Sequence, residues 1–444
     1  MRELNLFRLH DSNDPIGGWI LAYGKNLHII VESILNQLYT KYKRHELDEL
    51  FVSRLGVSNI TSQRFRRKGR KSYPLVFLDE LMGVWKDTFN KSNNEVFAKK
   101  EETIENIEFL RVNRPNSISI KAVKRLNETL CKIAGAHAAD GTLYGSLIRI
   151  TDEDKQAVEA FKIWVEEVFK VKLTDVVPVK NSSEWGLYFQ IKIISRYLRK
   201  FFDFPSGTKT YSVTEPRIIR NSNVEFRKAF AVGILTFEAG IGIKPQIEFC
   251  VSSKKLRDSV CEILNKHNIK IKFMKRKSSG YWRFWTGILT KNEATKWLEF
   301  FEPQTEKWYK LRDIIYGYRG KIASIIDVFY VFNKIYPLRS SSKVSLSDVF
   351  QITLEQKEVY RYQLVNLLKE VNSLNSFGGK WAHSVSHYLN ILKSANIISV
   401  ENRKFGSKKS FGSIVRQVYR FNSDLSTWKV PFRPSLENEV KYLK

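Results

Sequence analysis

The stretch IAGAHAADGTLYG, Ile133 to Gly145, decides how the rest of the chain is read. Its first half carries little side-chain bulk: alanines at 134, 136, 138 and 139 surround Gly135 and a lone histidine, His137. Alanine is the best helix former, so the stretch reads as a helix. Such thinness suits the close approach of a second helix backbone, which bulkier side chains would hold off. The helix then closes on an acid, Asp140, succeeded at once by Gly141. A carboxylate at a helix C-terminus faces the negative end of the helix dipole and is unfavourable there.

A partner stands 98 residues further on. AVGILTFEAG, Ala231 to Gly240, again places a glycine five positions before an acid, Gly233 before Glu238. The segments downstream of the two acids repeat in the same order. After Asp140 come a strand-like LYGSLIRI, a helix-like DEDKQAVEAFKIWVEEVFKV, a strand-like WGLYFQIKI and a helix-like SRYLRKFFDF. After Glu238 the order returns as IKPQIEFCV, SSKKLRDSVCEILNKHNI, YWRFWTGIL and NEATKWLEFF. In each half the apolar positions alternate, take helical spacing, and alternate again. The expected fold class is α+β, built on a duplicated αββαββα unit. Its thin helices lie side by side, with Ala134, Gly135 and Ala138 of one against Gly233 of the other. The two acids then meet at neighbouring helix ends and repel unless a cation lies between them. A divalent ion supplies it, and hard oxygen donors suit Mg2+.

With both motifs in view, the middle of the chain, near residues 120–320, resembles the LAGLIDADG homing endonucleases. The likeness is to the single-chain form that carries two motifs, as in inteins and archaeal introns. It implies two pseudo-symmetric repeats forming a saddle in the DNA major groove. It implies Asp140 and Glu238 as ligands for Mg2+ or Mn2+, with a water positioned and a leaving oxygen stabilised at one phosphodiester per strand. The implied product is a double-strand break with short 3′ overhangs at a long target site, and the implied enzyme is a monomer. The resemblance also places basic side chains near the scissile phosphates, from the strand before the last helix of each half. Lys192 and Arg283 match, completing a catalytic set with Asp140 and Glu238. By strand alternation, Ser146, Ile148, Gln246 and Glu248 are candidates for reading base edges. Glu238 and Ala239 depart from the aspartate and glycine of the family motif, while His137, inside the first motif, reads as a core residue. Some proteins of this kind bind DNA or RNA without cutting, as transcription regulators or maturases, and that is the alternative function.

Bulk composition agrees with a polyanionic partner. The 444 residues hold 74 Lys and Arg against 46 acids, a formal net charge of +28, with the excess spread along the chain. Each phosphate neutralised releases counterions, so such a chain favours a polyanion, which the resemblance implies is double-stranded DNA, with RNA as a second possibility. Three cysteines out of CxxC spacing make neither a disulfide framework nor a zinc site. No apolar run is long enough for a bilayer and the N-terminus lacks a signal-peptide core, so a soluble, intracellular, DNA-associated protein is expected.

Four regions are expected: a mostly helical one over 1–116 ending at the NRPNS break, the two repeats over 117–222 and 223–336, and a last unit over 345–444 after the linker PLRSSSKVS. In the first region ELDELFVSRLGVSNITSQRFRRKGRKS, Glu46 to Ser72, reads as a helix-turn-helix, with Gly56 in the turn and Ser58 capping the second helix. Asn59, Thr61, Gln63 and Arg64 are placed to reach bases, and Arg66, Arg67, Lys68 and Arg70 to hold phosphates. The last unit resembles a winged helix. Its long amphipathic helix EQKEVYRYQLVNLLKEVNSL precedes a candidate recognition helix carrying His383, Ser384, Ser386 and His387, and a β-wing carrying Lys404, Lys408 and Lys409.

Overall fold

The computed structural model describes residues 3–11, 15, 18–67, 69–207, 211–241, 246–269, 271–275, 281–286, 289, 291–316, 344–371, 380–405, 414–424 and 427. Contacts divide the chain into two compact units, one made of Met1–Gly240, Gln246–Ile288 and Glu299–Thr305, the other of Ile241–Pro245, Leu289–Leu298 and Glu306–Lys444. Among the described residues no helix is long and apolar enough to cross a membrane.

The first hundred residues are not simply helical. Strands β1 (Ile20–Tyr23), β2 (Ser72–Pro74), β3 (Phe109–Val112) and β4 (Ser119–Lys121) form an antiparallel sheet in the order β2-β1-β3-β4. Each strand is only three or four residues long, too short for alternation to show in sequence, and pairing across distant segments supplies what local pattern does not. The NRPNS break lies in the β3–β4 connection, so the sheet runs past position 116 to Lys121. Around the sheet come α1 (Leu27–Leu38), α2 (Arg44–Leu55), α3 (Asn59–Phe65), α4 (Leu75–Phe89) and α5 (Asn93–Glu105). Gly56 ends α2 in the left-handed conformation, φ 63°, and the Ser58 hydroxyl accepts from the Thr61 N–H to start α3.

This region is stitched to the next. Leu4, Leu6 and Leu9 are fully buried. The Leu4 N–H donates to the Lys124 carbonyl at 2.7 Å, and the buried Arg196 guanidinium donates to the Leu9 carbonyl at 2.7 Å.

Two runs of elements then succeed one another in identical order. The first is α6 (Glu128–Ala139), β5 (Gly141–Tyr144), β6 (Leu147–Asp152), α7 (Lys155–Phe169), β7 (Val177–Pro178), β8 (Trp185–Gln190) and α8 (Lys192–Phe202). After α9 (Arg217–Arg220) comes the second: α10 (Val224–Glu238), β9 (Ala239–Ile241), β10 (Ile247–Val251), α11 (Lys254–Lys266), β11 (Lys272–Lys275), β12 (Trp282–Trp285) and α12 (Lys291–Leu298). The sheets match strand for strand, β5-β6-β8-β7 in one and β9-β10-β12-β11 in the other. Both thin helices begin on asparagine caps, Asn127 bonding the Leu130 N–H and Asn223 the Phe226 N–H. Short edge strands β7 and β11 escape the sequence pattern.

In the second unit α13 (Glu306–Tyr316) comes after α12, and the last hundred residues add α14 (Leu346–Gln356), β13 (Glu358–Tyr360), α15 (Arg361–Val371), α16 (Lys380–Ser394), β14 (Ile398–Phe405) and β15 (Ile414–Phe421). The strands pair in the order β13-β15-β14 over a core that includes Phe350, Leu364, Leu389, Ile397 and Tyr419. The expected single helix EQKEVYRYQLVNLLKEVNSL is therefore three elements. Lys357 takes φ 57°, and Val359 leaves the helical path to pair with Tyr419. A ladder partner far along the chain overrides local helix preference.

Candidate functional site

At the seam between α6 and α10 two helix backbones run close together. A methyl group built on Gly135 would stand 2.1 Å from the Phe230 carbonyl oxygen and 3.0 Å from the Ile234 nitrogen. One built on Gly233 would stand 2.2 Å from the Lys132 carbonyl oxygen and 2.8 Å from the Ala136 nitrogen. Lys132 and Phe230 are 98 residues apart, and so are Ala136 and Ile234. The contacts are thus reciprocal, atom for atom, as a local twofold relation requires. Ala134 and Ala138 are buried in the same helix, at 0% and 3% exposure.

That relation puts Asp140 and Glu238 at equivalent places, each half-buried where its helix ends. They are not presented alike. Asp140 is the first residue out of α6, with φ −105° and ψ 5°. Glu238 is the last helical residue of α10, and the chain extends directly after it at Ala239. Behind Asp140 the backbone folds tightly over His137: a methyl on Gly141 would lie 2.2 Å from the His137 Nδ1 and 2.6 Å from its Cα. His137 is fully buried, its ring 5.0 Å from that of Phe204. In the second half the positions that correspond to His137 and Gly141 hold Leu235 and Ala239.

Glu302, unanticipated in the sequence, ties the seam together. It accepts from the Lys132 ammonium at 2.7 Å and from the Trp164 indole at 3.2 Å, while its own N–H donates to the Thr236 hydroxyl at 3.1 Å. Three helices, α6, α7 and α10, thereby meet at one residue, and Thr236 lies two positions before Glu238. Among the described residues no group of three or more His, Cys, Asp or Glu side chains is arranged to hold a metal ion. Asp140 and Glu238 are hard oxygen donors, the ligand type that Mg2+ takes together with several waters or phosphate oxygens.

No family model and no curated protein matches the chain. Solved structures do. One is I-DmoI in complex with DNA and Mn, at 14% identity over 39% of this chain and 95% of that one, with a TM-score of 0.30. Another is the N-terminal LAGLIDADG domain of DUF199/WhiA, at 12% over 39% and 81%, TM-score 0.29. A third is full-length DUF199/WhiA from Thermatoga maritima, at 11% over 57% and 93%, TM-score 0.31. Likenesses this distant decide nothing about activity. In the order of its repeated elements the chain is similar to LAGLIDADG proteins.

Of the basic residues expected beside the two acids, Lys192 is the first residue of α8 rather than part of the strand, which stops at Gln190 because Ile191 caps the helix. Its ammonium donates to the Gly18 carbonyl at 3.1 Å. Arg283 does sit in β12, pairing with Cys250 and bonding the Glu248 carboxylate at 2.5 Å. The two are not counterparts: Phe284 faces Phe249 as Leu187 faces Ile150, which matches Arg283 with Gly186. Of the strand residues, Ile148 is fully buried opposite Phe189 and turns to the core, so the open face of the first sheet is carried instead by Thr142, Tyr144, Arg149 and Gln190. Ser146 lies in the β5–β6 turn and accepts from Gln190. Gln246 and Glu248 share one half-exposed face of the second sheet.

On α3, Asn59, Gln63 and Arg64 are exposed and Thr61 is half-buried in the cap. The basic run behind them divides. Arg66 turns inward to a buried ion pair with Asp48, which also accepts from Ser62, and bonds the Tyr39 hydroxyl at 2.8 Å. Arg70 donates to the Ser72 and Arg64 carbonyls and lies over the Phe65 ring, and burial lowers its pKa. These two guanidiniums brace the fold, because an arginine beside a buried carboxylate or aromatic face gains more there than in water. Arg67 stays exposed, and Lys68 lies outside the described residues. On α16, His387 is exposed and Ser386 half-buried; the side chains of His383, Ser384 and Lys404 and the whole of Lys408 and Lys409 lie outside the described residues.

Proposed function

We propose that the chain is a site-specific, divalent-metal-dependent DNA endonuclease of the homing type, making a double-strand break at a long target. The observation that carries this reading is the reciprocal contact of Gly135 and Gly233, which gives Asp140 and Glu238 equivalent places at one seam. Two acids so placed, at unfavourable helix ends, are stabilised by a shared divalent charge. Asp140 and Glu238 would hold Mg2+ or Mn2+, which when bound lowers the pKa of water and neutralises charge building on phosphate oxygens. The protein's own part is positional. The tight seam fixes the carboxylates, Glu302 steadies the last turn of α10, and the sheet faces bearing Thr142, Tyr144, Arg149 and Gln190, and Gln246, Glu248 and Arg283, track the groove. Duplex DNA is the partner, in keeping with a net charge of +28.

The α2–α3 pair acts as a helix-turn-helix whose Asn59, Gln63, Arg64 and Arg67 touch DNA, and the helix–strand–helix–helix–strand–strand order of the last hundred residues supports reading that unit as a winged helix. A non-cleaving regulator or maturase is the second reading. It is favoured by the partners that Lys192 and Arg283 already have within the protein. The two readings separate on a plasmid bearing the sequences that flank the gene, rejoined without it. With Mg2+ the wild type linearises it, whereas Asp140→Asn and Glu238→Gln leave it intact and still retard it in a gel. Retardation without any cleavage by the wild type would leave only the regulator.

A further inference from the structure

We infer that the C-terminal sheet carries a stacking platform for an unpaired nucleobase, and so binds single-stranded nucleic acid through Tyr360, Tyr362 and Arg416. Tyr360 ends β13 and Tyr362 lies in the first turn of α15, and their rings stack with centroids 5.9 Å apart and planes 28° from parallel. The Arg416 guanidinium of β15 lies over the Tyr362 ring at 5.1 Å from its centroid. Tyr362 remains 49% exposed and Arg416 is exposed. Two aromatic rings and a flat cation are therefore pre-stacked at the surface. A guanidinium held on a ring keeps a planar face for a base and an N–H edge for a phosphate.

The surroundings narrow the ligand. On the same face Glu358 pairs with Arg403 at 2.7 Å and with Arg420 at 2.8 Å, and Glu401 pairs with Arg420 at 3.3 Å. These charges offset one another, so this face is not a broad cationic plate of the kind that tracks a duplex backbone. A base within a duplex is already stacked on both sides and offers no face to the platform, whereas an unpaired base does. The Arg361 guanidinium donates to the Ser386 hydroxyl at 2.5 Å, holding the start of α15 beside α16. The chain's net charge of +28 suits a polyanion better than a protein partner.

The full chain, kept from cutting by EDTA, is titrated into fluorescein-labelled oligo(dT) and into a duplex of equal length at fixed salt, reading anisotropy. Tyr362→Ala and Arg416→Ala should each weaken oligo(dT) binding about 5- to 150-fold while the duplex changes less than about twofold, since one base–aromatic stack is worth roughly 1–3 kcal/mol. Tyr362→Phe should bind oligo(dT) like the wild type. Equal losses for both ligands would make this face a duplex contact, and an unchanged oligo(dT) affinity would leave it to another class of partner; either result overturns the proposal. Because no cleavage is read, the outcome stands apart from whether the seam is a nuclease centre.

Discussion

The two halves of the seam agree where their backbones touch and differ almost everywhere else. Gly135 and Gly233 face the same atoms of the opposite helix at nearly the same distances. Around them, the first half packs His137, Gly141 and Phe204, while the second places Leu235, Ala239 and Glu302. Trp164 of α7 donates its indole N–H to Glu302, but its counterpart in α11 is the apolar Ile263, and the neighbouring Glu262 takes Arg227 at 2.7 Å. Symmetry is thus enforced by main-chain collision, which no rotamer relieves, and relaxed where side chains can trade one kind of contact for another.

Replacing either seam glycine should do the most harm. Gly135→Ala and Gly233→Ala each drive a methyl into a carbonyl oxygen, and each should lower unfolding free energy by about 3 kcal/mol or more, as urea melts would show. Near-equal costs confirm the reciprocity; a tolerated alanine at one site breaks it. A step down come the residues behind the acids. Gly141→Ala meets the His137 backbone and should cost about 2 kcal/mol, whereas Ala239→Gly in the other half should cost under about 1 kcal/mol, both read by thermal melting.

The smallest effect is one of pH. Hydrogen bonds from Arg227 and then Lys266 depress the Glu262 carboxyl from its usual 4.5 to about 2. A depressed acid contributes stability that is fully present above 4.5 and lost as pH falls toward 2. Hydrogen exchange in that window should loosen α11 before α7, whose tie to the seam is the Trp164 indole. Glu262→Gln should remove the difference.

The duplicated order, the two acids and both glycines are legible because each is a local pattern that repeats: alternation, helical spacing, and a fixed distance from glycine to acid. The Gly56 turn and the Ser58 cap are legible for the same reason. What the sequence hides depends on partners remote in the chain. Glu302 is one acid among many until Lys132, Trp164 and Thr236 surround it. Arg66 and Arg70 look like phosphate ligands until Asp48 and the Phe65 ring claim them. The pairing of β1 with β2 and β3 and the strand at Glu358–Tyr360 exist only through ladders to distant segments.

The Arg196 guanidinium, bonded to the carbonyl of Leu9, bears on any attempt to trim the protein to a smaller tool. Deleting the opening ten residues would take a carbonyl acceptor away from that buried cation and uncover three leucine sockets. A shortened version would need Arg196 replaced by an apolar residue, with new side chains to plug the gap, before it could be purified folded.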